Sequence, residues 1–491
     1  MNTPPLVIIG LDAGDPDLIL AWAGEGVLPT IASILARGTC GRLVGPEMFS
    51  VHGVWTSFFS GVSVHEHGLY LQRPLLPGTY ELKAIHPWDS VARPFWADFR
   101  RPLVTIDVPD SHPLAGLHGV QLVNWSNHPT LAPPEARPEG LLSEIRAAVG
   151  PPIATDERQG SRRRDRRILT RILRRIEQKG ELCRYLLNKG RFDLVVVVFG
   201  DSHAAGHRFR KYQNAATAAA CGGDLRDAVR QTYEAIDREI GRLLCGFPEP
   251  PNVFVVSNSG TIDGYPVGDW MEAFCRELGY QTLIEPTGAL GRLCALPRTW
   301  RSLLGYRRRL RLQAERLGKS TNWGRTTAFA IPAYYTGYVR VNLKGREPLG
   351  VVAPGAEYEA LLERMTADFL QLVDEKTGDA VVERVTCTAK LFGGGPPLRL
   401  PDLVVDWRHS AALAQRIAHP RGVLVRRGWG RPRGNYHSSS GLVLAAGPSI
   451  RQCGRVADLS PLDFAPLFRV LMAEPIAARA SGEAIDVFMR S

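Results

Sequence analysis

The sequence predicts an α/β protein: a mostly parallel central sheet between helical layers, with a small inserted subdomain. Three observations predict it. Four short apolar runs, LVIIGLDAGD (6–15), LVTIDVPD (103–110), LVVVVFGDSH (194–203) and VFVVSNSG (253–260), end in Gly, Asp or Asn. They are rich in Val and Ile and lack strict alternation, as strands covered on both faces do. Amphipathic stretches lie between the runs, and strand–helix alternation of this kind builds parallel sheets. From 283 to 395 the texture changes, which sets that segment apart.

Taken in order, the first apolar run is followed by PTIASILARG (29–38), a helix for which Gly38 offers a C-cap. The basic run Arg162 to Arg175 (RRRDRRILTRILRR), with the Ile176 that follows it, places Ile168, Leu169, Ile172, Leu173 and Ile176 on one helix face and arginines on the other. LRDAVRQTYEAIDREIGRLL (225–244) and DWMEAFCRELG (269–279) continue the helical pattern. The segment 283–395 opens Arg-rich, passes through the strand-like AYYTGYVRVNLKGREPLGVV, and reaches a helix at EYEALLERMTADFLQLVDE. Strand-like PDLVVDW (401–407) and GLVLAAG (441–447) close the pattern. The expected organisation is a core in two parts, 1–282 and 396–491, with a cap-like insertion at 283–395.

The chain has 491 residues, 44% of them hydrophobic and 22% charged, enough apolar content for a large core and too little polar bias for disorder. The net charge of +11 favours anionic partners. No aromatics are interleaved with the arginines of 162–175, so a nucleic-acid partner is not expected. Eight cysteines without a CxxC read as reduced thiols. The N-terminus has no signal-like pattern and no apolar run approaches ~20 residues, so a cytoplasmic protein without a membrane span is expected. Nothing in the sequence speaks to oligomeric state.

Chemistry gathers where the strands end, the edge at which open α/β sheets bind ligands. Asp201, His203 and His207 follow one strand within seven positions. A carboxylate with two imidazoles suits zinc or another divalent transition metal, and His203 and His207, four apart, share one helix face. Asp12 directly follows the first strand, and His437 precedes a late one in GNYHSSSGLVLAAGP. In PEMFSVHGVWTSFFSGVSVHEHGLY (46–70), Ser50 and His52 precede Trp55, and Thr56, Ser57 and Ser60 line a helix start that could hold phosphate or simply cap the helix. His65, His67, His112 and His128 read as structural. Lys344 and Arg346 read as solvated charges.

In their order, LDAGD, SVHGVWTSFFSGVSVHEHG, GDSHAAGH, VFVVSNSG and NYHSSSGLVLAAGP resemble the alkaline phosphatase superfamily, closest to its type I phosphodiesterase/nucleotide pyrophosphatase branch. The resemblance spans nearly the whole chain. It implies an alkaline-phosphatase-like fold, two divalent ions on a phosphoryl oxygen, and a Thr or Ser that attacks phosphorus. It places Asp12 at the ligand position of one site, and His207 and His437 at ligand positions of the other. Where the family carries Asp, four residues before His207, this chain has His203, and Asp201 could supply the carboxylate. The nucleophile position falls on Val51, with Ser50 adjacent. The family's Ser-Asp-His-Gly is Ser-Asn-Ser-Gly here, so Asn258 and Ser259 replace an anionic ligand and an imidazole.

The resulting expectation is a metal-dependent hydrolase of small anionic phosphoric esters, altered from the two-metal pattern. Asp201, His203, His207 and His437 would hold one ion, most simply zinc. Asp12 and Asn258 would be left at a crippled second site. Ser50 or a water would attack, and His52 or an arginine would offset part of the missing positive charge. The alternatives are a degenerate homologue with a binding or regulatory role, or a metal enzyme acting on sulfate or phosphonate esters or in group transfer.

Overall fold

The computed structural model describes residues 3–50, 52–126, 132–155, 160–213, 223–262, 268–284, 317–333, 336–408, 411, 414–425, 436–476 and 483–489. His128 and most of the Arg-rich run at 299–318 lie outside the described residues. The chain forms two compact units. One comprises 1–67, 86–262 and 434–491; the other comprises 68–85 and 263–433.

The first unit is built on a nine-stranded sheet. Strands β1 (Leu6–Leu11), β2 (Thr39–Leu43), β3 (Leu103–Ile106), β4 (Gly119–Val123), β5 (Glu135–Arg137), β6 (Leu194–Phe199) and β7 (Asn252–Ser257) are joined by Gly441–Ala446 and Gly454–Arg455. Their order is Gly454–Arg455, β2, Gly441–Ala446, β7, β1, β6, β3, β4, β5. The five strands β7-β1-β6-β3-β4 run parallel, while Gly441–Ala446 and β5 are antiparallel to their neighbours.

Every residue of β1 and β6 is buried, which explains the missing alternation. Val7, Ile9 and Leu11 join one apolar layer with the helices Pro29–Arg37, Arg162–Leu187 and Ala228–Leu244. Leu6 and Ile8 join the other, with Val54–Ser60 and Phe464–Leu471. Burial of both faces is what a parallel sheet requires.

Two local readings change. Gly38 follows the helix Pro29–Arg37 in an extended conformation, not a left-handed one. Its need is space: a Cβ there would sit 1.9 Å from the Ala445 carbonyl oxygen. On Arg162–Leu187 the apolar stripe is inward as expected, but Arg175 and Lys179 are buried too. Arg175 pairs with Asp201 at 2.6 Å and Lys179 with Asp107 at 2.8 Å.

The second unit holds a four-stranded antiparallel sheet, ordered Val382–Cys387, Leu403–Trp407, Gly337–Val341, Ala328–Ile331. The helices Gly268–Glu277 and Ala356–Leu370 contribute Trp270, Phe274, Met365 and Phe369 to its core. This unit extends beyond 283–395 on both sides, because its core is completed by apolar residues from either flank. Arg346 is not a solvated charge: its guanidinium grips both Asp402 oxygens at 2.7 Å. Burial alone would raise the Asp402 carboxyl, but Arg346, with Arg340 and the Tyr358 hydroxyl, holds it below the usual range.

Candidate metal centre

The register sets the site. Leu11 lies opposite Phe199 on one side and Ser257 on the other, so β1, β6 and β7 end at one level. Asp12, the helix Asp201–Phe209 and Asn258 therefore leave the sheet together. The fourth contribution comes from far along the chain. Tyr436–His437 forms a two-residue ladder with β8 (Thr261–Ile262), in which His437 is opposite Thr261. Gly206 lets the histidine-bearing helix lie against this ladder, because a Cβ there would come within 2.7 Å of the Thr261 side chain.

Three imidazoles converge. His203, His207 and His437 each offer one ring nitrogen, and the three atoms lie within 4.8 Å of one another. The ring centroids are 4.7, 4.9 and 4.8 Å apart, with interplanar angles of 46°, 74° and 88°. His207 Nε2 and His437 Nε2 stand 3.1 Å apart. Two nitrogens bound at about 2.0–2.1 Å to a tetrahedral zinc are about 3.3 Å apart, so this spacing and donor set fit such an ion. His207 and His437 are buried, and His203 is partly open. Among the described residues this is the one group of three or more metal-ligating side chains so placed.

Asp201 is not in that group. Its side chain is fully buried, and its Oδ1 accepts a hydrogen bond from Arg175 Nε at 2.6 Å. The assignment of Asp201 as a ligand gives way to a structural one: it anchors the first turn of the helix that carries His203 and His207.

Asp12, 4% exposed, meets the trio through His203. Its Oδ2 is 2.8 Å from His203 Nδ1, and its Oδ1 accepts from Trp55 Nε1 at 2.8 Å. A carboxylate only accepts, so Nδ1 of His203 carries the proton and Nε2 is its lone-pair nitrogen. Trp55 fits because residue 10 is glycine: a Cβ there would lie 2.9 Å from the indole. Asn258 is turned elsewhere. Its Oδ1 accepts from the Ala13 backbone N–H at 2.8 Å, which holds Ala13 in a left-handed conformation with φ 48°.

Ser50 is buried in the turn between Pro46–Phe49 and Val54–Ser60, and His52 in the same turn is exposed. The nucleophile position of the resemblance, Val51, lies outside the described residues. Trp55, on the helix this turn leads into, brings the segment to Asp12. Ser57 faces inward: its Oγ is 2.9 Å from His67 Nε2 and donates to Glu47 Oε2 at 3.2 Å. It is thus part of a buried network and not a phosphate cradle. Burial pushes the His67 imidazole down to about 4.

Two contributions escaped the sequence reading. Trp55 was only a landmark there, and nothing in its spacing shows an indole reaching Asp12. Arg175 lies on a helix that reads as amphipathic with solvated arginines, and no local signal reveals an inward one.

Comparison with known proteins bears on the fold and the family. The crystal structure of phosphonoacetate hydrolase from Sinorhizobium meliloti 1021 in complex with phosphonoformate superimposes with a TM-score of 0.57 at 14% identity, covering 96% of each chain. The same enzyme in complex with phosphonoacetate gives 0.56 at 14% identity and the same coverage. At this identity the likeness is one of fold. No curated protein matches the sequence. The family described as type I phosphodiesterase / nucleotide pyrophosphatase matches residues 6–429, and with its fold and histidine cluster in place, the chain belongs to that family.

Proposed function

We propose that the protein is a divalent-metal-dependent hydrolase of small anionic phosphoric esters, with zinc as the ion. The observation that carries this reading is the convergence of His203, His207 and His437 at the carboxyl edge of the sheet. An ion held there supplies Lewis acidity toward a phosphoryl oxygen. His207 and His437 hold the site from two buried positions, and His203 closes it from the partly open side. Ser50 is the proposed nucleophile, a buried hydroxyl in the turn that leads into the helix bearing Trp55. His52, exposed in the same turn, is the residue proposed to offset charge at the site or move a proton. Six cysteines among the described residues are free thiols, which supports a cytoplasmic setting.

The phosphonoacetate hydrolase likeness extends the substrate class to phosphonates, which share the tetrahedral anionic head. A second reading is favoured by the engagement of Asn258 with backbone: a chain that keeps the ion but binds an anion without cleaving it. One experiment separates the two. Metal content and turnover of nitrophenyl phosphate diester, nitrophenyl phosphate monoester and phosphonoacetate are measured for the wild type and for His207→Ala. Turnover that falls at least a hundredfold with loss of the ion supports the hydrolase. Turnover unchanged in His207→Ala overturns it, and bound ion with no turnover on any of the three supports the binding reading.

A further inference from the structure

The family pattern places a second ion between Asp12 and the residues at 258 and 259. The side chains here do not fit one. Asp12 has one oxygen against His203 Nδ1 and the other against Trp55 Nε1, each at 2.8 Å. Asn258 Oδ1 is spent on the Ala13 N–H. Ser259 Oγ is buried without a hydrogen-bond partner, but a single neutral hydroxyl does not replace the charge of a carboxylate or the basicity of an imidazole. What the family uses as a ligand has instead become the middle of a chain of contacts, Trp55–Asp12–His203, ending on one ring of the histidine trio.

We infer that the protein holds one divalent ion per chain and that Asp12 is a positioning residue, which fixes the tautomer and the plane of His203 without itself ligating. The inference rests on the three-histidine centre being a metal site. A carboxylate accepting from Nδ1–H makes Nε2 the lone-pair nitrogen and raises its basicity, so removing the carboxylate weakens metal binding through the imidazole. Trp55 keeps the carboxylate from rotating, because the indole N–H donates to the oxygen that His203 does not use. Asn258 acts on the same carboxylate indirectly, by locking the backbone at residue 13 beside it.

The test is a double-mutant cycle on metal affinity, with stoichiometry as an independent readout. Zinc per chain is measured by metal analysis after dialysis, and Co²⁺ affinity is followed through its visible bands, for wild type, Asp12→Asn, Asp12→Ala, His203→Ala and the double variant Asp12→Ala/His203→Ala. The expected results are one ion per wild-type chain and one per Asp12 variant. Affinity should fall 10- to 100-fold in Asp12→Ala, and by less in Asp12→Asn, whose amide oxygen still accepts from Nδ1–H. In the His203→Ala background, removing Asp12 should cost nothing more, since a residue acting through another has no separate contribution. The ¹⁵N resonances of His203 should shift in Asp12→Ala, a change that a loss of packing elsewhere would not produce. Circular dichroism verifies folding, and Asp12→Asn carries the test if Asp12→Ala does not fold. Two ions in the wild type with one lost in Asp12→Ala, or fully additive losses in the cycle, overturn the inference. No ion in the wild type overturns both it and the hydrolase reading. One ion with non-additive losses and no ester turnover leaves this inference standing while the hydrolase reading falls.

Discussion

Asp201 shows how a residue can sit in a metal-like spacing for another reason. In sequence it stands two positions before His203, where a hard ligand would complete the set. In space it is fully buried against Arg175, itself 2% exposed. Removing one partner of a buried ion pair leaves an uncompensated charge, at a cost of roughly 3–5 kcal/mol. Asp201→Ala should therefore lower stability by about that amount in urea titration while the folded variant retains its ion. An empty site in a folded Asp201→Asn protein would return Asp201 to the ligand set. The three histidines were legible because their residue type carries metal chemistry wherever the chain places it. Asp201 and Asp12 were not, because a carboxylate serves equally as ligand, as counter-ion or as orienting acceptor, and only its partners decide.

His67 gives a second prediction at the same scale. Its folded-state value is lowered by burial to about 4, against an ordinary value near 6.5. The unfolded chain therefore takes up this proton first as pH falls, and stability is lost between about pH 6.5 and pH 4. The shift corresponds to about 3 kcal/mol at the low end of that window. Glu47, raised chiefly by its own burial, opposes this trend over part of the range. His67→Gln should flatten the His67 contribution, which is read as the difference between variant and wild-type stability from pH 7 to pH 4.

At the level of elements, the histidine-bearing helix is placed by what holds it from behind and what lets it approach in front. Arg175 grips its first residue, and Asp165 grips Arg208 near its end at 2.9 Å. Both partners come from Arg162–Leu187. On the other side Gly206 meets the ladder of Thr261 and His437. Gly206→Ala would gain up to about 1 kcal/mol of helix propensity, but the added methyl lies 2.7 Å from Thr261 Cγ2, and overpacking costs roughly 1–3 kcal/mol. The expected outcome is a lower Tm and weaker Co²⁺ binding, both restored toward wild type by Thr261→Ala in the same chain. Strands and helices were legible here from apolar periodicity. The two buried ion pairs were not, since a cation that points inward has the same spacing as one that points to water.

For the whole molecule, the parallel core follows from a pattern any both-sided sheet must have. The extent of the second unit does not, because its core draws on apolar residues on both sides of a segment singled out by charge. The ion, in this reading, ties the helix Asp201–Phe209 to the two-residue strand Tyr436–His437 within the first unit. Ligand bound only to the native state stabilises by about 2.7 kcal/mol at a hundred times its Kd. Chelation should therefore lower the unfolding midpoint of the wild type and leave that of His207→Ala unmoved, as scanning calorimetry would show. An equal drop in both would mean the chelator acts elsewhere.

The third imidazole arrives 230 positions after the second, beyond the entire second unit in sequence. A growing polypeptide consequently emerges with two of the three donors long before the last, and cannot close its grip on a cation until residue 437 has been synthesised and folded back. Products terminated before residue 437 would thus, in the proposed reading, stay in a low-affinity, exchangeable condition.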